Sequence, residues 1–175
     1  MSPYNINASY KDVVIKDNTI LLKHPDVLID LGSIAKGYIA MRMARHLQEF
    51  GVEDGYVDAR GDLQCIGEIT IDVQHPRQEG KICTIKLNDK GVATSGDYMQ
   101  FHKDFSKSHI LNKTNIISAT VVADDVTIAD VYATLLMVCD DKLKDKIMRK
   151  NGIQAMTIDD DLNIRYYNGF EGLII

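Results

Sequence analysis

Apolar residues recur along this chain in short runs set off by glycine, proline and Asx turns, and in only two or three places does their spacing lengthen to that of a helix. A doubly wound parallel sheet needs strands and helices in regular alternation, and that alternation is absent. The pattern predicts an α+β fold, with a mixed or antiparallel sheet and two or three helices packed against it. Apolar runs flanking Asp17-Asn18 predict a hairpin, because that polar pair tolerates tight-turn geometry. A third short strand is expected over 27–30, and an amphipathic helix over 34–50 carries Ile34, Tyr38, Met41, Ala44 and Leu47 before Gly51 ends it. Two strands bracket Arg60-Gly61-Asp62, and further strands are expected over 69–73, 82–87, 92–94 and 116–122. Helices over 127–138 and 142–150 and strands over 155–158 and 162–166 complete the chain. Met41, Met43, Met137 and Met148 read as helix packing.

Length and composition bound what such a chain does. With 175 residues and 45% hydrophobic content it can bury one proper core, so a single domain over 1–175 is expected. A net charge of −5 and a pI near 5.5 argue against a nucleic-acid surface, which needs a basic face. The three cysteines, Cys65, Cys83 and Cys139, are widely spaced and form no Cys-x-x-Cys pair, so neither a disulfide framework nor a zinc ribbon is supported. The start of the sequence lacks the basic and apolar regions of a signal peptide, and no run approaches membrane-spanning length. A soluble cytoplasmic protein without membrane insertion is expected.

Three segments could carry chemistry. In "IDLGSIAKGY", residues 29–38, a strand-like run passes through Gly32-Ser33 into a helix. Glycine lets a backbone approach a ligand, the amides of a helix N-terminus favour phosphate, and Lys36 could add a point charge. The same stretch also reads as a plain tight turn with a solvated lysine. In the second segment Asp130 and Thr134 are four residues apart, which places them on one helix face as hard oxygen donors suited to Mg²⁺ held with phosphates. Alternatively, Thr134 back-bonds to a helical carbonyl while Asp130 complements the helix dipole. The third segment pairs the small-residue loop at Ser95-Gly96-Asp97 with His109, which could move a proton near neutral pH. A simple turn and a structural histidine are the bland equivalents.

Taken in order, "IDLGSIAKGYIA", "GVEDGYVDARGDLQCIG", "HPR", "GVATSGDYMQF", "SHIL" and "SATVVADDVTIADVYATLLMV" resemble the FAD:protein FMN transferases, or ApbE proteins, across about residues 12–140. The resemblance implies an ApbE-like fold related to the T-fold. It also implies an enzyme that binds FAD with Mg²⁺, splits the pyrophosphate and passes FMN to a Thr or Ser of an acceptor flavoprotein, releasing AMP; some relatives hydrolyse FAD instead. By resemblance, Asp30, Lys36 and Leu111 fall at FAD-contacting positions, while Ser33, through its main-chain carbonyl, Asp130 and Thr134 fall at metal-ligand positions. Ser95 is added as a cofactor-binding candidate and His109 as the catalytic base.

The sequence departs from the family pattern twice. The usual N-terminal region before the hairpin is missing, so half of the cofactor enclosure is expected to come from a second copy or a complementary subunit, to be dispensable, or to be lost. After "SHIL" the common Asp-Pro-x-Thr-Gly is replaced by Asn112-Lys113-Thr114-Asn115.

Overall fold

The computed structural model describes residues 8–98, 101–102, 104–108, 110, 113–151 and 153–175. They form two compact units that divide between Leu31 and Gly32.

The first unit is built on a hairpin. A single 3₁₀ turn, Tyr10–Asp12, starts at Ser9, whose hydroxyl accepts from the Lys11 amide while the Asp12 carboxylate accepts from the Ser9 amide. Strands β1 (Val13–Lys16) and β2 (Thr19–Leu22) then pair antiparallel, with Val13 opposite Leu22. Asp17 and Asn18 both have positive φ, 49° and 60°, which is what a two-residue turn needs to match strand twist. The expected third strand over 27–30 does not form among the described residues: these positions run as irregular backbone. An apolar run alone does not make a strand, because its amides and carbonyls must also find a neighbour.

The second unit is layered around a six-stranded antiparallel sheet. Its elements are α1 (Ala35–Glu49), β3 (Gly55–Asp58), β4 (Asp62–Ile66), β5 (Glu68–Gln74), β6 (Lys81–Asn88), β7 (Gly91–Gly96), β8 (Phe101–His102), β9 (Asp104–Ser108), β10 (Ile116–Ala123), α2 (Val126–Val138), α3 (Asp141–Asn151), β11 (Gln154–Asp159) and β12 (Ile164–Tyr167). The sheet order is β12-β11-β10-β7-β4-β3, and the hairpins β5-β6 and β8-β9 stand apart from it. One face carries α1 and α2 over Ala93, Ala119, Val121 and Ala123; small residues on the sheet let the helices approach closely. The other face buries Val92, Ile117, Val122 and Met156 against Val73, Ile85 and Leu87 of the β5-β6 hairpin and against Phe170. Because both faces of β10 are covered, all eight of its residues are buried, the polar Ser118 and Thr120 among them, and the strand shows no alternation of buried and exposed positions.

The α+β prediction and its packed helices are therefore the observed architecture, with three α-helices and antiparallel sheets among the described residues. Three details differ. The last strand starts at Ile164 because Leu162 sits in the preceding turn at φ 65°. Met43 is exposed rather than packed, since it lies on the opposite side of α1 from the buried Met41 and Ala44. The β8-β9 hairpin was not foreseen, because its sequence is polar and lacks alternation.

Candidate functional site

The first turn of an α-helix leaves amides without intrahelical partners, and the residue preceding α1, Ile34, supplies no side-chain cap. That role falls to a distant residue. The Gly37 amide donates to Oδ2 of Asp130, from the second turn of α2, at 3.0 Å. Asp130 is only 2% exposed, so a carboxylate removed from water is placed at the positive end of a helix dipole. Glycine at position 37 is a steric requirement: a Cβ there would lie 2.6 Å from the Val126 carbonyl oxygen and 2.9 Å from Asp130 Cβ. The Lys36-Gly37 pair of the sequence is thus a docking point for α2 as well as a helix start.

A second carboxylate arrives from the sheet. Arg60 and Gly61 take positive φ, 60° and 96°, in the turn between β3 and β4, and Asp58 Oδ1 accepts from the Gly61 amide at 2.7 Å. This turn starts β4 at Asp62, opposite Ala93 of β7, and leaves Asp62 only 1% exposed. Its carboxylate accepts a hydrogen bond from the Lys36 ammonium. Burial pushes the Asp62 carboxyl up to about 6; the Lys36 hydrogen bond opposes this, while the charges of Asp130 and Asp58 add to it. The sequence analysis missed Asp62, which there looked like a turn residue. The available signal was a carboxylate directly after a turn glycine, at the head of a predicted strand.

One turn beyond Asp130, the Thr134 hydroxyl lies 3.1 Å from the hydroxyl of Ser95 on β7. Thr134 is therefore turned towards the sheet and paired with a second predicted site residue, rather than merely closing on its own helix. Ser33 lies half-buried in the turn that leads into α1. Asp30 is an exposed residue of the first unit. His109 and Leu111 fall outside the described residues. Beyond Ser95, Asp97 is buried and held by three bonds: Arg77 grips both its oxygens at 2.7 and 2.9 Å, and Lys113 approaches at 3.2 Å. Neither cation was singled out from the sequence.

Among the described residues no group of three or more His, Cys, Asp or Glu is arranged to hold a metal. Asp130 and Thr134 supply a carboxylate and a hydroxyl, both hard oxygen donors, one helical turn apart on α2. The buried carboxylates of Asp62 and Asp130 interact electrostatically, and Lys36 pairs with Asp62.

Comparison with known proteins fixes the context. The family model described as the ApbE family matches residues 4–157. The chain belongs to the ApbE family. It is 31% identical over 139 residues to an FAD:protein FMN transferase of Klebsiella pneumoniae, covering 72% of this chain and 44% of the relative. It is 29% identical over 163 residues to an FAD:protein FMN transferase of Vibrio cholerae, covering 83% and 49%. Among solved structures, an ApbE protein of Thermotoga maritima superposes with a TM-score of 0.83 at 30% identity, covering 94% of this chain and 60% of that one. The flavin transferase ApbE of Vibrio cholerae gives 0.77 at 26% identity, covering 94% and 59%. This ApbE-family chain thus spans about half the length of the curated relatives it matches.

Proposed function

We propose that this ApbE-family chain is a Mg²⁺-dependent flavin transferase that uses FAD as substrate. It cleaves the FAD pyrophosphate and transfers FMN to a Thr or Ser of an acceptor flavoprotein, releasing AMP. The observation that carries this reading is the convergence of Lys36, Asp62 and Asp130 on the N-terminal turn of α1. Family membership supplies the substrate class, since the matched relatives are named FAD:protein FMN transferases.

In this reading the acceptor hydroxyl oxygen attacks the flavin-side phosphorus, and the bond to the AMP phosphate breaks, with AMP as leaving group. Asp130, Thr134 and the Ser33 carbonyl would hold Mg²⁺, which would supply positive charge against the phosphates. Lys36 places its ammonium beside the same phosphates. Its side chain is 45% exposed and so reaches both Asp62 and a ligand in solvent. Asp130 also fixes the Gly37 amide, holding the helix end at which an anion docks. Asp30 and Leu111 are assigned to FAD contacts, Ser95 to orienting Thr134 beside the cofactor, and His109 to accepting the hydroxyl proton. The three cysteines are unpaired, which supports a reducing, cytoplasmic setting.

A second reading has its own support. α1 exposes Ile39 and Met43, Phe50 just beyond it is exposed too, and β3 lies at the edge of the sheet with Tyr56 exposed. A flavin-binding module or FAD pyrophosphatase completed by a second copy or a complementary subunit fits those surfaces.

Lys36→Ala separates this site from an inert turn. With Mg²⁺ present, titration of flavin fluorescence should show FAD binding weakened by about tenfold, the scale of losing one charge-assisted contact of roughly 1.4 kcal/mol. Unchanged binding would remove Lys36 from the site.

A further inference from the structure

Asp62 has no counterpart among the residues that the family resemblance assigned, yet its placement is the most elaborately built in the site. Four features deliver it: the left-handed Arg60-Gly61 turn, the Asp58 bond to the Gly61 amide, the Ala59 amide bonding back to the Asp62 carbonyl at 2.9 Å, and the register opposite Ala93. The side chain it meets, Lys36, lies 26 residues away in sequence on a different element. As a stabilising ion pair this is a poor bargain, because a carboxylate 1% exposed loses its hydration while its partner stays nearly half in water. The pairing makes sense if its purpose is to aim the lysine. A lysine ammonium is a compact charge on a flexible stem, and it carries three donors. One donor fixed on a buried carboxylate sets where the other two point. The next residue's amide, that of Gly37, is fixed in turn by Asp130, so the backbone from which the lysine projects is also held.

We infer that Asp62 is a positioning residue: it anchors the Lys36 ammonium at the N-terminal turn of α1, so that the lysine's remaining donors face the pyrophosphate of the bound nucleotide. This rests on the proposed FAD chemistry for the ligand, but the anchoring itself stands on the ion pair alone. It has a kinetic consequence. An anchored ammonium is shared between Asp62 and the ligand, so its strongest interaction is reserved for charge that develops as the pyrophosphate breaks. With the anchor removed, Lys36 can settle on the ground-state phosphates instead. Binding is then kept or tightened while turnover falls, the opposite of what loss of a structural contact would do.

The test has two arms, using the full chain and the near-isosteric Asp62→Asn, with Asp62→Ser as second variant should the amide fold poorly. In the first arm, without nucleotide, brief acetylation is read at each lysine by mass spectrometry. Lys36 should label severalfold faster in the variant, while Lys90, paired with Asp124 elsewhere, keeps its rate. An unchanged Lys36 rate overturns the anchoring. In the second arm, with FAD and Mg²⁺, kcat for AMP release should fall about tenfold or more, as expected for a misplaced catalytic group, with FAD affinity no weaker than wild type. In a Lys36→Met background the same substitution should have almost no effect. Weakened FAD affinity with kcat retained, or an equal loss in the Lys36→Met background, overturns the proposal. Absence of AMP release from the wild-type chain would refute the transferase reading alone, and the labelling arm then decides on Asp62.

Discussion

Gly37 shows how much of the site turns on one missing methyl. The residue is buried against α2, and its amide is the donor that Asp130 accepts. Gly37→Ala would force a Cβ into contact with backbone atoms of Val126 and Thr127 at 2.6 and 2.9 Å, which cannot rotate aside. A loss of about 2 kcal/mol in urea unfolding is expected, typical of overpacking a well-filled core, together with weakened Mg²⁺-dependent activity as Asp130 shifts. A variant as stable as wild type would show that α1 and α2 can part without cost. Asp62 offers a residue-scale test in pH. Its carboxyl value rises on folding from 3.8 to about 6, so between those values the folded state binds more protons than the unfolded state. The Asp62 contribution to stability is therefore fully present below pH 3.8 and is lost as pH rises through about 6. Without divalent metal, wild type should lose stability relative to Asp62→Asn between pH 4 and pH 6.5. A constant difference would show that the carboxyl is not perturbed by folding.

At the scale of elements, Asp97 ties together three segments that the chain separates widely. Arg77 reaches it from the β5-β6 connection and Lys113 from the segment before β10, while its own amide donates to the Ile117 carbonyl. Because Asp97 is 1% exposed, deleting a partner leaves a poorly compensated buried charge. Arg77→Met should cost about 3 kcal/mol in chemical denaturation, moderated by the remaining Lys113. A cost near zero would mean that the carboxylate finds water instead. The elements themselves were largely legible in the sequence wherever local chemistry was sufficient. Positive-φ turn residues marked the β1-β2 hairpin, and helical spacing of apolar residues marked α1 and α2. Failures came where partners decide: the apolar residues 27–29 form no strand, whereas the polar β8 and β9 do. The Asp130-Thr134 face was legible because four residues is nearly one helical turn. Asp62, Arg77 and Lys113 were not, since their meaning lies in contacts across 26, 20 and 16 residues that no local pattern records.

For the whole molecule, the layered arrangement explains why the site sits where it does. The central sheet is buried on both faces, with helices on one and the β5-β6 hairpin on the other, so β4, β7 and α2 have little freedom to move apart. Rigid elements thus present Asp62, Ser95, Asp130 and Thr134, and the N-terminus of α1 presents Lys36 to solvent. The chain spans about half of its curated relatives, which makes its own chemical competence the central question. The decisive measurement is AMP release from FAD by the purified chain, with and without Mg²⁺, alongside Asp130→Ala. Metal-dependent release that disappears in a folded Asp130→Ala protein is the expected result. Release that ignores both the metal and the substitution, or none at all from folded wild type, would contradict the account.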